Sequence, residues 1–170
     1  SVAKETVFGK DHSFNKIKNY EDFKKYIPLK NYEELLPYIE RIKAGEVNIL
    51  WKGSPVFLGK TSGTTSKTKF IPITKKSLNN QVSAPQYAAL NYSYCYKKYS
   101  FLKGKVLIFS DGHFFENTGG IKTAPISTIA NSCVPKIYNG FRLPSDKINS
   151  ISDYEKRIDA MINESTAKDV

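Results

Sequence analysis

Several residue types are scarce in this 170-residue chain, and each scarcity excludes a class of site. Two cysteines, Cys95 and Cys133, are too few and too far apart for a disulfide framework or a zinc site, so we expect buried free thiols. The two histidines, His12 and His113, cannot build a His-rich metal site. His113 lies two residues after Asp111, where a turn after a strand is the simpler interpretation.

Long apolar runs are also missing. No window approaches the roughly 20 apolar residues that cross a bilayer, and the first residues lack the charged-then-apolar order of a signal peptide. No repeat of fixed period and no low-complexity segment occurs. We therefore expect a soluble, cytoplasmic protein without a membrane partner.

Arginine is rare although the formal net charge is +10. Only Arg41, Arg142 and Arg157 carry the planar guanidinium that suits bases and phosphates, and the other cations are lysines. The aromatic run from Tyr92 to Phe101 could stack bases, but packing is the better interpretation. A lysine-rich nucleic-acid-binding or interaction module stays open as the alternative function, with nucleic acid disfavoured.

The composition that is present indicates a folded chain, with 40% hydrophobic and 13% aromatic residues. Asn19 is a capping residue that predicts a helix over 20–26. Asn31 opens a second helix that ends before Gly45, with Pro37 in or just before its first turn. The first third of the chain is thus mainly helical.

Short β-rich runs follow these helices. They cover 47–51, 56–58 and 70–73, the last two flanking a polar stretch. A long helical segment over 75–99 comes next, in which Pro85 suggests a kink or break. The pattern changes from strand to helix at this point.

The second half continues the alternation. Residues 105–109 form the clearest strand, which we expect to be central and covered on both faces. Glycines 119 and 120 open a loop, 126–130 form a short helix or strand, and Ser152 with Glu155 is a capping box for the last helix. The expected apolar face of that helix is Tyr154, Ile158, Met161 and Ile162. An α/β fold follows, with a mixed β-sheet and flanking helices.

The stretch that carries chemistry is 58–72. Ten consecutive residues from Gly59 to Thr68 are Gly, Ser, Thr or Lys. Gly63 permits backbone conformations that turn successive N–H groups inward, while hydroxyl and ammonium groups complete a shell around oxygen anions. The pattern predicts a phosphate cradle, with a flexible polar loop as the alternative.

A Walker-type loop does not fit this stretch. Gly59-Lys60-Thr61 has the required ending, but Ser54 stands where the first glycine should be and Gly53 is one residue off. We therefore do not expect an ordinary P-loop ATPase.

The motif resembles a different nucleotide loop. The run 61–65, Thr-Ser-Gly-Thr-Thr, followed by Lys-Phe-Ile-Pro at 69–72, is similar to the first signature of the auxin-responsive acyl-acid amido synthetases, a family of adenylate-forming enzymes. The upstream sequence at 8–12, 19–23 and 31–42 is also similar to this family, and we take the chain as a bacterial-type member. One departure is Ser66-Lys67, where the family often has a glycine.

The resemblance implies a fold and a reaction. Residues 1–170 would be a single partial domain, the amino-terminal part of the large ATP- and acyl-binding domain, without the carboxy-terminal domain. The reaction would adenylate a small carboxylic acid with ATP and pass the acyl group to an amino acid. Magnesium would assist, through ligands outside this chain, because the family's later motifs do not occur before Val170. The chain alone would be inactive.

The resemblance also assigns residues. Hydroxyl and backbone donors to the phosphates would be Thr61, Ser62, Thr64 and Thr65. Gly63 would allow close approach of the backbone, and Lys69 would be the catalytic cation that neutralises the departing pyrophosphate. Lys60 and Lys67 are weaker candidates.

Overall fold

Helices and short strands alternate in the computed structural model, which describes residues 2–61, 68–99 and 103–167. The predicted α/β class is confirmed. The chain divides into two compact units, here unit 1 (Ser1–Lys75 and Glu116–Thr123) and unit 2 (Lys76–Phe115 and Ala124–Val170). Within the described ranges, no helix combines the length and apolar character needed to cross a membrane.

The elements are defined as follows. The α-helices of the described residues are α1 (Val7–Asp11), α2 (Tyr20–Tyr26), α3 (Tyr32–Lys43), α4 (Lys75–Tyr96), α5 (Ile126–Ser132), α6 (Asp146–Asn149) and α7 (Tyr154–Thr166). The strands are β1 (Phe57–Thr61), β2 (Lys69–Ile73), β3 (Val106–Leu107), β4 (Glu116–Thr118), β5 (Ile121–Pro125) and β6 (Arg142–Leu143). Short 3-10 helices cover Val2–Glu5, Phe14–Lys16 and Lys136–Phe141.

Side-chain caps begin α2 and α3 where the sequence predicts. The Asn19 side chain accepts a hydrogen bond from the Asp22 N–H at 2.9 Å. Asn31 and Glu34 form a reciprocal capping box, with distances of 2.8 and 2.9 Å. The prediction for Pro37 was wrong, because this residue lies inside α3, past the first turn. There it removes one intrahelical N–H donor.

Unit 1 is built on a four-stranded sheet in the order β2-β1-β5-β4. The β1–β2 and β4–β5 pairs are antiparallel, and Gly119 and Gly120, both with positive φ, make the turn between β4 and β5. The buried core cluster consists of Ile42, Ile49, Leu58 and Ile121. Helix α3 supplies one of these residues and lies against β2, so it supports the hairpin described below.

The predicted strand over 47–51 was wrong. Asn48 has a φ of 59°, a left-handed conformation that cannot continue a strand. Its carbonyl accepts a hydrogen bond from the Val7 N–H at 2.9 Å, and the Ile49 carbonyl accepts one from the Phe8 N–H at 3.0 Å. The carbonyl groups of this segment therefore accept hydrogen bonds from the backbone N–H groups in the first turn of α1, and not from a neighbouring strand.

Unit 2 contains a two-stranded parallel sheet of β3 and β6. The strand predicted over 105–109 is reduced to Val106–Leu107, and the expectation of a central, covered strand was wrong, because Val106 is 56% exposed. Among the described strands, β3 pairs with β6 alone. Helix α4 runs on through Pro85 without a break.

The ends of unit 2 differ from the sequence prediction in detail. The segment 126–130 is helical, within α5. Asp153, not Ser152, caps α7, and its side chain accepts from the Lys156 N–H at 2.9 Å. Of the predicted apolar face Met161 is buried, whereas Tyr154 and Ile162 are exposed.

The cysteine prediction holds in one respect and fails in another. Both cysteines are free thiols, as expected. Cys95, however, is exposed on α4, and Cys133 is only partly buried. The tyrosines near Cys95 are also exposed, and Tyr94 keeps 72% of its surface in solvent. This side of α4 is therefore not part of a core.

Candidate functional site

The predicted phosphate-binding stretch begins and ends on paired strands. Strands β1 and β2 are antiparallel, and Thr61 lies directly opposite Lys69 in their register. Both residues are half-buried. Residues 62–68 connect the two strands in the chain. Because directly paired residues share a face of the sheet, the Thr61 and Lys69 side chains are neighbours at this end of the hairpin.

The rest of the predicted cradle cannot be placed in the same way. Thr61 and Lys69 belong to the described residues. The other assigned positions, Ser62, Gly63, Thr64, Thr65 and the weaker candidate Lys67, lie outside them.

The two described lysines of the hairpin differ in their electrostatic partners. The Lys60 ammonium lies 2.5 Å from the Glu116 carboxylate of β4, so its charge is neutralised. The Lys69 ammonium forms no ion pair within the described ranges and lies 5.3 Å above the centre of the Tyr32 ring. A cation over an aromatic face keeps its charge available to a further anion. Lys69 is therefore the better placed of the two to meet a phosphate.

Tyr32 was not identified from the sequence as part of this site. It is the first residue of α3, where the capping box fixes its position. Its hydroxyl accepts a hydrogen bond from the Phe70 N–H at 2.8 Å, on the edge strand β2. The hydroxyl also lies 3.5 Å from the Phe70 carbonyl oxygen. Only the packing of α3 along β2 brings this tyrosine to Lys69, and no local signal in the sequence predicts that contact.

Groups with shifted pKa values lie on and beside α3. The Arg41 guanidinium donates to the Glu46 carboxylate at 2.7 to 3.1 Å, and these hydrogen bonds lower the pKa of Glu46 and raise that of Arg41. Burial, and then the hydrogen bond to Asp11, raises the pKa of the Tyr38 hydroxyl. These interactions stabilise the surface of unit 1 and do not supply an acid or base to the hairpin.

Unit 2 contains a separate cavity of about 370 Å³. Most of its lining is apolar and includes Val82, Pro85, Ile108, Ala130 and Val134. Arg142 also lines it, but its guanidinium already donates to Asn131 at 2.8 and 2.9 Å and to Asp146 at 2.9 Å. The cavity therefore suits an uncharged, apolar group.

Charged side chains of the described residues form ion pairs rather than a metal site. Within the described ranges, no three His, Cys, Asp or Glu side chains are grouped so that they could hold a metal ion. Four lysines form ion pairs with carboxylates, namely Lys10–Glu5, Lys24–Glu21, Lys43–Glu40 and Lys60–Glu116.

Comparison with known proteins gives a consistent result. Residues 1–161 match the GH3 family N-terminal domain. The chain is 28% identical over 127 residues to the jasmonoyl–L-amino acid synthetase JAR4 of Nicotiana attenuata, a match that covers 72% of this chain and 22% of that protein. The expectation of a bacterial-type member gains no support from these matches.

Solved structures agree on the fold. A structure of the GH3.15 acyl acid amido synthetase matches with a TM-score of 0.75 at 24% identity, covering 93% of this chain and 27% of that one. The AtGH3.15 acyl acid amido synthetase in complex with 2,4-DB matches with a TM-score of 0.67 at 27% identity, covering 78% and 23%. The chain thus spans about a quarter of the length of these proteins.

Proposed function

This chain belongs to the GH3 family, and on that premise we propose that it is the phosphate-binding, amino-terminal part of an ATP-dependent acyl-acid amido synthetase. The relatives that it matches are named a jasmonoyl–L-amino acid synthetase and an acyl acid amido synthetase. The proposed substrates are ATP, a small carboxylic acid and an amino acid. The alternative, a lysine-rich nucleic-acid-binding module, has less support because only three of the cationic residues are arginines.

The proposed reaction has two steps. A carboxylate oxygen attacks the α-phosphorus of ATP, an O–P bond forms, and the bond to the β-phosphate oxygen breaks with release of pyrophosphate. The amine of the amino acid then attacks the acyl carbon, AMP leaves with the former carboxylate oxygen, and the nitrogen loses a proton. The first step needs charge stabilisation at the departing pyrophosphate more than it needs a general base.

The single observation that carries the proposal is the pairing of Thr61 with Lys69 on β1 and β2. The Lys69 ammonium, which has no carboxylate partner among the described residues, and the Thr61 hydroxyl thus stand at the two ends of the Gly/Ser/Thr/Lys stretch. We assign Lys69 to the β- and γ-phosphates, together with Thr61, Ser62, Gly63, Thr64 and Thr65. Lys60 is left out of this assignment, because Glu116 neutralises it.

We further propose that the apolar cavity of unit 2 accepts the hydrocarbon part of the acid. A volume of about 370 Å³ is within the usual range for small-molecule sites. Its apolar walls would bind the hydrocarbon body of an acid, while the charged carboxylate would stay out of the apolar lining.

Magnesium would supply charge neutralisation on the phosphates when it is bound. The described residues offer no grouped ligands for it, so we assign it no residue in this chain.

Titration of the chain with ATP, AMP and a single-stranded oligonucleotide tests the proposed function. We expect saturable binding of ATP, weaker binding of AMP because it lacks the β- and γ-phosphates, and loss of ATP binding in Lys69→Ala. Oligonucleotide binding that is strongly salt-dependent, without any preference for ATP, would favour the alternative instead.

A further inference from the structure

The three arginines of the chain differ in how their guanidinium groups are paired. Arg41 donates from Nε and Nη2 to the carboxylate of Glu46. Arg142 donates from Nη2 to the carboxylate of Asp146. In both cases a carboxylate accepts from the guanidinium, the arrangement that a planar fork of donors favours. The third arginine, Arg157, departs from this pattern.

Arg157 is deeply buried but has no carboxylate partner. It is 3% exposed, less than either other arginine side chain. Its Nη1 donates to the Ile151 carbonyl at 2.9 Å. Its Nε is buried without a hydrogen-bond partner, and among the described residues no hydrogen bond is made by Nη2. One whole edge of the guanidinium, Nε with Nη2, is thus unpartnered.

The surroundings hold this edge in place without neutralising it. The rings of Phe114 and Tyr154 lie 5.7 and 5.5 Å from the guanidinium carbon. Gly112 packs so closely that an added Cβ would lie 3.1 Å from Nη1 and 2.8 Å from the Asn149 carbonyl oxygen. Asp153, one turn earlier on the chain, caps α7 through the Lys156 N–H. A buried cation without a carboxylate partner is costly, so this arrangement favours an anion.

Two further polar atoms in the same part of unit 2 are buried and unpartnered, His113 Nε2 and Asn149 Oδ1. They belong to residues joined by the hydrogen bond from the His113 N–H to the Asn149 carbonyl, at 3.1 Å. A Cβ added at Gly112, next to His113, would lie close to both Arg157 and Asn149. The region between the turn at Gly112 and α7 is therefore polar in its interior, although aromatic rings cover it.

We propose that the Nε and Nη2 edge of Arg157 is a binding site for the carboxylate of a small organic acid. The Arg41–Glu46 pair shows the same edge of a guanidinium engaged by a carboxylate within this chain. Tyr154 is 62% exposed, and Phe114 is 44% exposed, so the site lies just below the surface. In this proposal the acid approaches past the exposed Tyr154 ring, and its apolar part packs against the two rings. This site belongs to unit 2 and does not depend on the phosphate-binding proposal for the β1–β2 hairpin.

Nuclear magnetic resonance of the wild-type chain tests the site directly. With three arginines in the chain, the Nε–H cross-peaks can be resolved and assigned. Titration with sodium acetate, against sodium chloride at the same ionic strength, is expected to shift the Arg157 cross-peak saturably and to leave that of Arg41 in place. Equal shifts of all three peaks, or no acetate-specific shift, would overturn the proposal.

Thermal unfolding gives an independent readout. At tenfold excess over the dissociation constant, acetate is expected to raise the Tm of the wild-type chain by about 3–6 °C relative to chloride. Arg157→Lys keeps the positive charge but removes the planar pair of N–H donors, so it should abolish the acetate-induced rise in Tm. The matched variant Arg41→Lys should retain that rise. An undiminished gain in Arg157→Lys would refute the site. If that variant does not fold, the wild-type resonance titration decides alone.

Discussion

The hydroxyl of Tyr32 accepts a hydrogen bond from the Phe70 N–H at 2.8 Å, while the ring of the same tyrosine lies beneath the Lys69 ammonium. Strand β2 is at the edge of its sheet, so the outward backbone N–H of Phe70 needs a partner other than a strand. Tyr32 provides it from the first turn of α3. One side chain thus fixes the backbone next to Lys69 and contacts its charged group.

Tyr32→Phe should destabilise the chain by about 1 kcal/mol, because the Phe70 N–H loses its partner. Chemical denaturation measures this free energy of unfolding. Tyr20→Phe is the control, since the Tyr20 side chain is 70% exposed, and should be neutral. Equal stabilities of Tyr32→Phe and the wild type would show that the hydrogen bond contributes nothing.

Lys69→Ala, introduced in the complete synthetase, should lower the rate of ATP–pyrophosphate exchange on the order of 100-fold, as expected for loss of a charge-stabilising donor. Lys60→Ala serves as the matched variant and should have a much smaller effect, because Glu116 already neutralises Lys60. An unchanged exchange rate in Lys69→Ala would remove this lysine from the assignment.

Gly119→Ala should destabilise unit 1 by about 3 kcal/mol or more. Gly119 has a φ of 57°, and an added Cβ would lie 2.0 Å from the Lys43 carbonyl oxygen, so backbone must move. Gly120→Ala is the comparison, because its φ is also positive but no atom lies within 4 Å of the added Cβ. For Gly120→Ala we expect a destabilisation of about 1 kcal/mol, from the backbone strain of a positive φ alone. Similar costs at both positions would contradict the close contact.

Glu46→Gln should change the pH dependence of stability on the acid side. The Arg41 guanidinium lowers the pKa of Glu46 from its ordinary 4.5, so the pair stabilises the fold above that pH and the contribution is lost as pH falls through the folded-state value. The Tm difference between wild type and Glu46→Gln should therefore shrink in acid. Glu21→Gln, in another exposed ion pair, controls for general charge effects. A Tm difference between wild type and Glu46→Gln that grows on acidification would contradict a lowered pKa of Glu46.

The purified chain should release no AMP from ATP with any acid and amino acid, because it spans only 22% of the synthetase JAR4 that it resembles. A sensitive assay of AMP, with a full-length synthetase as the positive control, makes the measurement. Detectable turnover would mean that these residues hold a complete active site.

Local patterns predicted much of the secondary structure. Asn19 and Asn31 cap their helices because a cap needs only residues three positions apart. The strands around 56–58 and 70–73 were also predicted, since short β-rich runs flank a polar stretch. The strand prediction failed at Asn48 because of a contact with an element distant in sequence. The Asn48 carbonyl accepts a hydrogen bond from a backbone N–H of α1.

The sequence by itself predicted the family, which the match over residues 1–161 confirms, and it named the residues of the proposed phosphate-binding motif, because the order of hydroxyls, glycine and lysine is a property of the chain. Which hairpin lysine has a carboxylate partner among the described residues was decided only by the tertiary structure. Glu116 comes from a distant strand to neutralise Lys60, and α3 brings Tyr32 to Lys69. The unpaired edge of Arg157 is likewise invisible in the sequence, since charge pairing depends on distances in space and not on positions along the chain.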